Sequence, residues 1–175
     1  EQLEEMLEQH CRSPIDVREM LLRIVKYHTP KAGGAQAGGS REKVHNLYDL
    51  LLRRLLAGQG GPETDGLAEV LMAMTPDMGP VAANLWGRLL VSLHGRVEKA
   101  LRDYALGGSE SCWPSAGALA LLRLLPLLFP ASDQRHPVVT PALLLLGQCL
   151  SECPVTSGED LTAGLTCATL MLLYT

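Results

Sequence analysis

Apolar side chains recur along the sequence at helical spacing, and alternation of the strand kind is nowhere sustained. Ser13-Pro14-Ile15-Asp16 opens the first clear helix, with Ser13 as cap, Pro14 at the first helical position and Asp16 at the positive end. Val17, Met20, Leu21, Ile24, Val25 and His28 share one face, Asp16, Glu19, Arg23 and Lys26 the other, and Pro30 stops the helix. Glu1 to Gln9 is acidic and reads as a short separate helix. Residues 32–39, AGGAQAGG, read as a flexible loop. Ser40 then caps a helix to Ala57 whose inward stripe is Val44, Leu47, Tyr48, Leu51 and Leu55. A shorter helix over 64–74 turns Leu67, Val70, Leu71 and Met74 inward. The longest runs from Pro80 to about Leu106, with Ala82, Trp86, Leu89, Leu90, Leu93, Val97, Ala100 and Tyr104 on one face. Ala116 to Phe129 is apolar all round except Arg123, the pattern of a helix buried on most sides. Thr140-Pro141 opens a helix to about Glu152 by cap-then-proline logic, and Ser157-Gly158-Glu159-Asp160 opens the last one.

The expected fold is therefore all-α, about seven helices in one unit over 1–175. Helix starts taken in pairs recur every 40–50 residues or so, close to the period of HEAT-type hairpins, which predicts an α-solenoid segment. The chain starts at Glu1, and Leu165 to Thr175 holds its helical pattern without a capping signal, so it reads as part of a longer polypeptide.

Composition narrows the class. The 175 residues include 35 Leu against 10 Val and 2 Ile, which disfavours a sandwich or barrel. Apolar residues make up 47%, enough for a sizeable core. A net charge of −4 argues against gripping nucleic acid through overall charge. No signal peptide is recognisable, and no uncharged apolar run reaches the length of a membrane span. Five cysteines in spacings that fit no disulfide framework read as reduced, buried thiols.

Candidate chemistry is sparse. The glycine-rich loop lacks the G-K-[ST] ending of a phosphate loop, and no G-x-S-x-G turn exists. Cys149 and Cys153 share a helix face but would need two more ligands to hold zinc, and the nearest histidine, His136, precedes that helix. Glu159 and Asp160 are explained by the helix dipole. The reading is thus no catalytic residue, no cofactor and no metal. Residues 1–60 hold nine Lys/Arg against eight Asp/Glu; Lys43 and Arg54 share one flank of the second helix with Arg53 nearby, and these three are the candidate RNA contacts. No aromatics are interleaved with them as in an RNA-binding module.

The most specific segment is Leu127-Leu128-Phe129-Pro130-Ala131-Ser132-Asp133-Gln134-Arg135-His136-Pro137-Val138-Val139-Thr140-Pro141-Ala142. Physically it is a helix stop, a turn built on Ser132 and Asp133, an extended His136 held by Pro137, and a restart capped by Thr140 ahead of Pro141. Its FPASD and HPVVTPA halves resemble the best-marked motif of the nucleolar protein 14 family. Leu150-Ser151-Glu152-Cys153-Pro154, Asp160-Leu161 and Gly164-Leu165 continue the likeness in register. Upstream, Leu22 to His28, Glu42-Lys43, Leu47-Tyr48 and Leu50 to Leu52 resemble the segment around that family's Asn-His-Pro motif, which reads Tyr27-His28-Thr29-Pro30 here.

The resemblance implies a non-enzymatic assembly factor of the small ribosomal subunit, nuclear and nucleolar. It would act in the small-subunit processome in pre-18S rRNA processing and 40S biogenesis. The implied partners are another nucleolar helical-repeat protein and a pseudouridine methyltransferase of ribosome assembly, with pre-ribosomal RNA and small nucleolar RNA met mostly indirectly and no membrane. The competing reading is a generic HEAT-like protein–protein adaptor unrelated to ribosome assembly.

Overall fold

A computed structural model describes residues 13–28, 37–59, 61–129 and 136–174. These form seven helices: α1 Pro14–His28, α2 Ala37–Ala57, α3 Pro62–Met78, α4 Pro80–Ala105, α5 Ala116–Leu128, α6 Val139–Glu152 and α7 Gly158–Tyr174. No strand occurs among the described residues. None of the helices is long and apolar enough to cross a membrane.

Local sequence sets most helix starts. Ser13 Oγ accepts from the Asp16 amide at 3.2 Å while Asp16 accepts from the Ser13 amide at 3.0 Å, a reciprocal cap. Ser157 and Asp160 repeat the arrangement at α7, with both bonds 3.0 Å. Ser115 caps α5 through the Ala118 amide. Three starts fall earlier than the pattern predicts, that of α6 at Val139 among them. Helix α3 begins at Pro62, not Thr64, because Gly61 takes a left-handed φ of 94° and a proline in the first turn needs no donor. Helix α2 begins at Ala37, so only 32–36 of the expected loop lie outside it, and these, like the expected 1–9 helix and Pro30, fall outside the described residues.

The leucine stripes are the core. Leu21, Leu51, Leu55, Leu71, Leu90, Leu121, Leu122 and Leu125 are buried around Tyr48 and Trp86. Tyr104 is an exception, 40% exposed because the end of α4 runs out past the core. The helices do not pair in the strict sequential hairpins that the paired spacing predicts. The most extensive packing is α1 on α3, α6 on α7, and α2 on α5; α4 lies on α6 and hardly meets α5. Bulk and side-chain ties decide this: Gly66 of α3 lets the Arg18 stem of α1 come close, and the Arg18 guanidinium grips Glu69 at 2.5 Å through both its Nε and Nη2.

Helix α5 has a built-in defect. Pro126 has no N–H for the Leu122 carbonyl one turn back. The buried Tyr174 hydroxyl of α7 donates to that carbonyl at 2.6 Å, so a distant helix completes the hydrogen bonding of α5.

Candidate functional site

The motif segment between α5 and α6 lies beside α4. Phe129 ends α5, its amide donating to the Leu125 carbonyl at 2.9 Å. Its buried ring meets Trp86 edge-on, with centroids 6.1 Å apart, and tilts against His136 at 5.8 Å. His136 does what the sequence assigned to Thr140. Its Nδ1 accepts from the Val138 and Val139 amides, both at 3.2 Å, and so caps α6 with an imidazole. Thr140 is already inside the helix, its amide donating to the His136 carbonyl at 3.2 Å, so the expected Thr140 cap is corrected. The reason is that Val138 already has helical backbone angles, φ −110° and ψ −45°, and the buried pair Val138 and Val139 takes the first turn, which leaves the capping position to His136. Pro141 then sits in the first turn, where a missing donor costs nothing, and its carbonyl lies 3.3 Å from His94 Nε2 of α4. His94 Nδ1 also pairs with Gln148 Oε1 at 3.0 Å, tying α4 to α6. Pro137 is exposed and lines an open cleft of about 790 Å³ with Pro80, Gly87, Arg88 and Val91. Pro130, Ser132 and Asp133 lie outside the described residues.

Behind Trp86 runs a buried polar relay that periodicity does not reveal. Trp86 Nε1 donates to Tyr48 Oη at 2.9 Å, Tyr48 donates to Thr75 Oγ1 at 2.7 Å, and Thr75 donates to the Leu71 carbonyl at 2.7 Å. Every member has a partner, and burial pushes the Tyr48 hydroxyl above its ordinary pKa, so it keeps its proton and remains a donor. The only sequence signal was that a buried Trp and Tyr must each satisfy a polar tip.

A second cluster joins the 111–113 turn to α7. Asp160, buried, accepts from Ser111 Oγ at 2.6 Å, from the Thr156 amide and hydroxyl at 2.9 and 2.7 Å, and from the Ser157 amide. These bonds hold its carboxyl well below the usual range, the Ser111 bond foremost. Trp113 Nε1 donates to the Pro154 carbonyl at 2.8 Å, and its ring covers Gly164, where a Cβ would meet it at 3.1 Å. Cys153 Sγ donates to the Cys112 carbonyl at 3.4 Å. Hydrogen bonds to Cys153 and Cys167, together with burial, push the Cys149 thiol far above its ordinary range. These are packed thiols, and among the described residues no group of His, Cys, Asp and Glu is arranged to hold a metal.

The three basic residues singled out as RNA contacts do sit on α2, but two are engaged. Arg53 pairs with Asp49 at 2.8 Å and Arg54 with Glu63 at 2.8 Å, while Lys43 is exposed about 15 Å along the axis. On α1, Glu19 and Arg23 form a loose pair at 3.7 Å. Among the described residues, the motif segment is therefore an aromatic and imidazole junction locking α4, α5 and α6.

Comparison with known proteins gives this junction its context. The model of the Nop14-like family matches residues 1–175. Nucleolar protein 14 of Mus musculus is 47% identical over 158 residues, covering 87% of this chain and 17% of the relative. Nucleolar protein 14 of Homo sapiens is 48% identical over 61 residues, covering 35% of this chain and 7% of the relative. The Nucleolar protein 14 homolog of Drosophila melanogaster is 26% identical over 181 residues, covering 99% of this chain and 20% of the relative. The chain thus spans a fifth or less of the length of these relatives. No solved structure matches it. With the family match running over every residue and the relatives bearing nucleolar names, the chain belongs to the Nop14-like family of nucleolar proteins.

Proposed function

We propose that this chain is a helical scaffold segment of a non-enzymatic ribosome assembly factor. It serves the small-subunit processome, supporting pre-18S rRNA processing and 40S subunit biogenesis, and docks proteins more than it grips RNA. The observation that carries the reading is the family match over the whole chain, with relatives named as nucleolar proteins. That membership weighs against a generic adaptor unrelated to ribosome assembly. The geometry supports the preference for protein docking. The family-like motif spends Phe129 and His136 on packing and capping, and Arg53 and Arg54 are paired with Asp49 and Glu63. Exposed leucines on α6 and α7 offer apolar surface of the kind protein interfaces use. The proposed partners remain a second nucleolar helical-repeat protein and a pseudouridine methyltransferase of the same particle, with pre-ribosomal and small nucleolar RNA reached largely through them.

The test is affinity purification of a family-length protein carrying this segment, with and without residues 1–175, followed by sequencing of bound RNA and identification of bound proteins. Small-subunit precursor RNA and assembly proteins should be enriched, and deleting the segment should strip proteins first. Recovery of neither would refute the assignment. Tight, salt-sensitive binding of pre-ribosomal RNA by the purified chain would refute the preference for proteins.

A further inference from the structure

Helix α4 is a basic element in an acidic chain. It carries four Lys/Arg against two Asp/Glu, while the whole chain has a net charge of −4. Arg102 pairs with Glu98 at 3.4 Å. Arg88, Arg96 and Lys99 are exposed, and among the described residues no carboxylate pairs with any of them. Helical spacing sets these three within roughly 80° of one another around the axis and along about 16 Å of it. The Arg88 end opens onto the cleft of about 790 Å³. Arg88 and Ser92 form a polar side of that cleft; Ala83, Gly87 and Val91, one turn apart, form an apolar side that Pro137 completes. No Asp or Glu lines it. Val91 is 69% exposed and a Cβ at Gly87 would meet nothing within 4 Å, so the apolar side is open to a side chain from outside.

The geometry points to the outer face of α4 as the docking site for an acidic amphipathic segment of a partner protein. Carboxylates of that segment meet Arg88, Arg96 and Lys99, and its apolar side chains enter the cleft over Gly87 and beside Val91. Charge complementarity selects this occupant. The net negative charge of the chain repels an acidic segment elsewhere, so α4 is where one is steered and held. A carboxylate at Arg88 meets a planar, two-pronged donor with no competing acid in the cleft. A polynucleotide fits less well. Three free cations interspersed with Glu98 and Asp103 release few counterions, and the cleft offers alanine, glycine, valine and proline where bases need aromatic rings to stack on. The inference deepens the protein-docking part of the proposed function and rests on it for the class of partner. Its test reads α4 alone, so its failure leaves the assignment to ribosome assembly standing.

The probe is a labelled synthetic helical peptide with glutamates on one flank and leucines beside them, titrated with the 175-residue chain and followed by fluorescence anisotropy. Binding should be saturable and weaken with salt, and the same peptide with lysine in place of glutamate should not bind. Arg88→Glu should weaken binding by about tenfold or more, and Arg96→Glu with Lys99→Glu likewise. Arg123→Glu, at an exposed cation of α5 that does not line the cleft, should leave binding unchanged. Gly87→Leu should weaken binding as much by filling the cleft, without loss of helix, since leucine is the better helix former. If circular dichroism shows lost helix, Val91→Glu, at an exposed position, supplies the same readout. Equal binding of the lysine peptide, or cation and cleft variants that bind as the parent does, would overturn the proposal. So would tighter binding of a single-stranded RNA that the same variants abolish, which would give the face to nucleic acid. A dimer that Arg88→Glu dissolves would give it to a second copy, and a family-length protein that no longer takes the peptide would give it to another part of the same polypeptide; either would overturn the proposal as well.

Discussion

The bond between Tyr174 and Leu122 allows a quantitative test of how the helices depend on one another. Pro126 leaves the Leu122 carbonyl without its helical donor, and the Tyr174 hydroxyl fills the gap at 2.6 Å in a buried setting. Burial raises the Tyr174 hydroxyl well above its ordinary pKa, so the donor proton stays in place across the usable pH range. Replacing Tyr174 by Phe keeps almost all of the ring's packing and removes only the donor. A buried carbonyl then stands unsatisfied, at a cost of about 1–3 kcal/mol. With a urea m-value of about 2 kcal/mol/M, the denaturation midpoint should fall by roughly 0.5–1.5 M. The same substitution in a Pro126→Ala background should behave differently. There the new alanine supplies its own N–H to the Leu122 carbonyl, so losing the tyrosine hydroxyl should cost less than about 0.5 kcal/mol, a coupling of ~1 kcal/mol or more between the two sites. Urea titrations of the four chains, followed by far-ultraviolet circular dichroism, measure this coupling. Equal costs for Tyr174→Phe in both backgrounds would show that the hydroxyl is not what completes α5, and the reasoning would fail.

Three further outcomes are expected. Gly117→Ala places a Cβ 2.2 Å from the Leu56 carbonyl oxygen and 2.6 Å from that of Leu55, so α5 must move away from α2 at a cost of about 3 kcal/mol, whereas Gly95→Ala meets nothing within 4 Å and should stabilise by ~0.5–1 kcal/mol. Thermal melts showing the same sign for both would contradict the packing of α5 on α2. His136→Ala should cost about 1–2 kcal/mol through two lost cap bonds and the Phe129 contact, while Thr140→Ala should stay within ~0.5 kcal/mol; urea midpoints in the reverse order would restore Thr140 as the cap. Because the folded-state pKa of Asp160 is depressed, its contribution is fully present above the unfolded carboxyl value of about 3.9 and is lost as pH falls below it. Asp160→Asn should therefore lower the melting temperature near neutrality and flatten the acid limb of the profile, and an unchanged acid limb would remove Asp160 from the account.

Much of the fold was legible because it is local. Helical periodicity marks α1 through α7, and Ser13 with Asp16 and Ser157 with Asp160 announce their helix starts, since capping needs only residues three apart. The apolar stripe of α3 is buried at all four positions the pattern named, Leu67, Val70, Leu71 and Met74. Family kinship was legible too, carried by the Phe129 to Ala142 segment and its continuation. What the sequence could not decide was which helix lies on which. Packing depends on bulk and reach between residues far apart in the chain: Gly66 admitting Arg18, Gly117 pressed against the end of α2, and Tyr174 reaching a carbonyl that proline left open. The cap of α6 passed from Thr140 to His136 for the same reason, because the fold buries Val138 and Val139 and seats Phe129 between Trp86 and the imidazole. The charge of Arg54, open to RNA when read along α2 alone, is met by Glu63 only once α3 folds back beside it. Helix existence is thus set by neighbours a turn apart, while partners, caps and free charges are set by neighbours that only tertiary packing brings together.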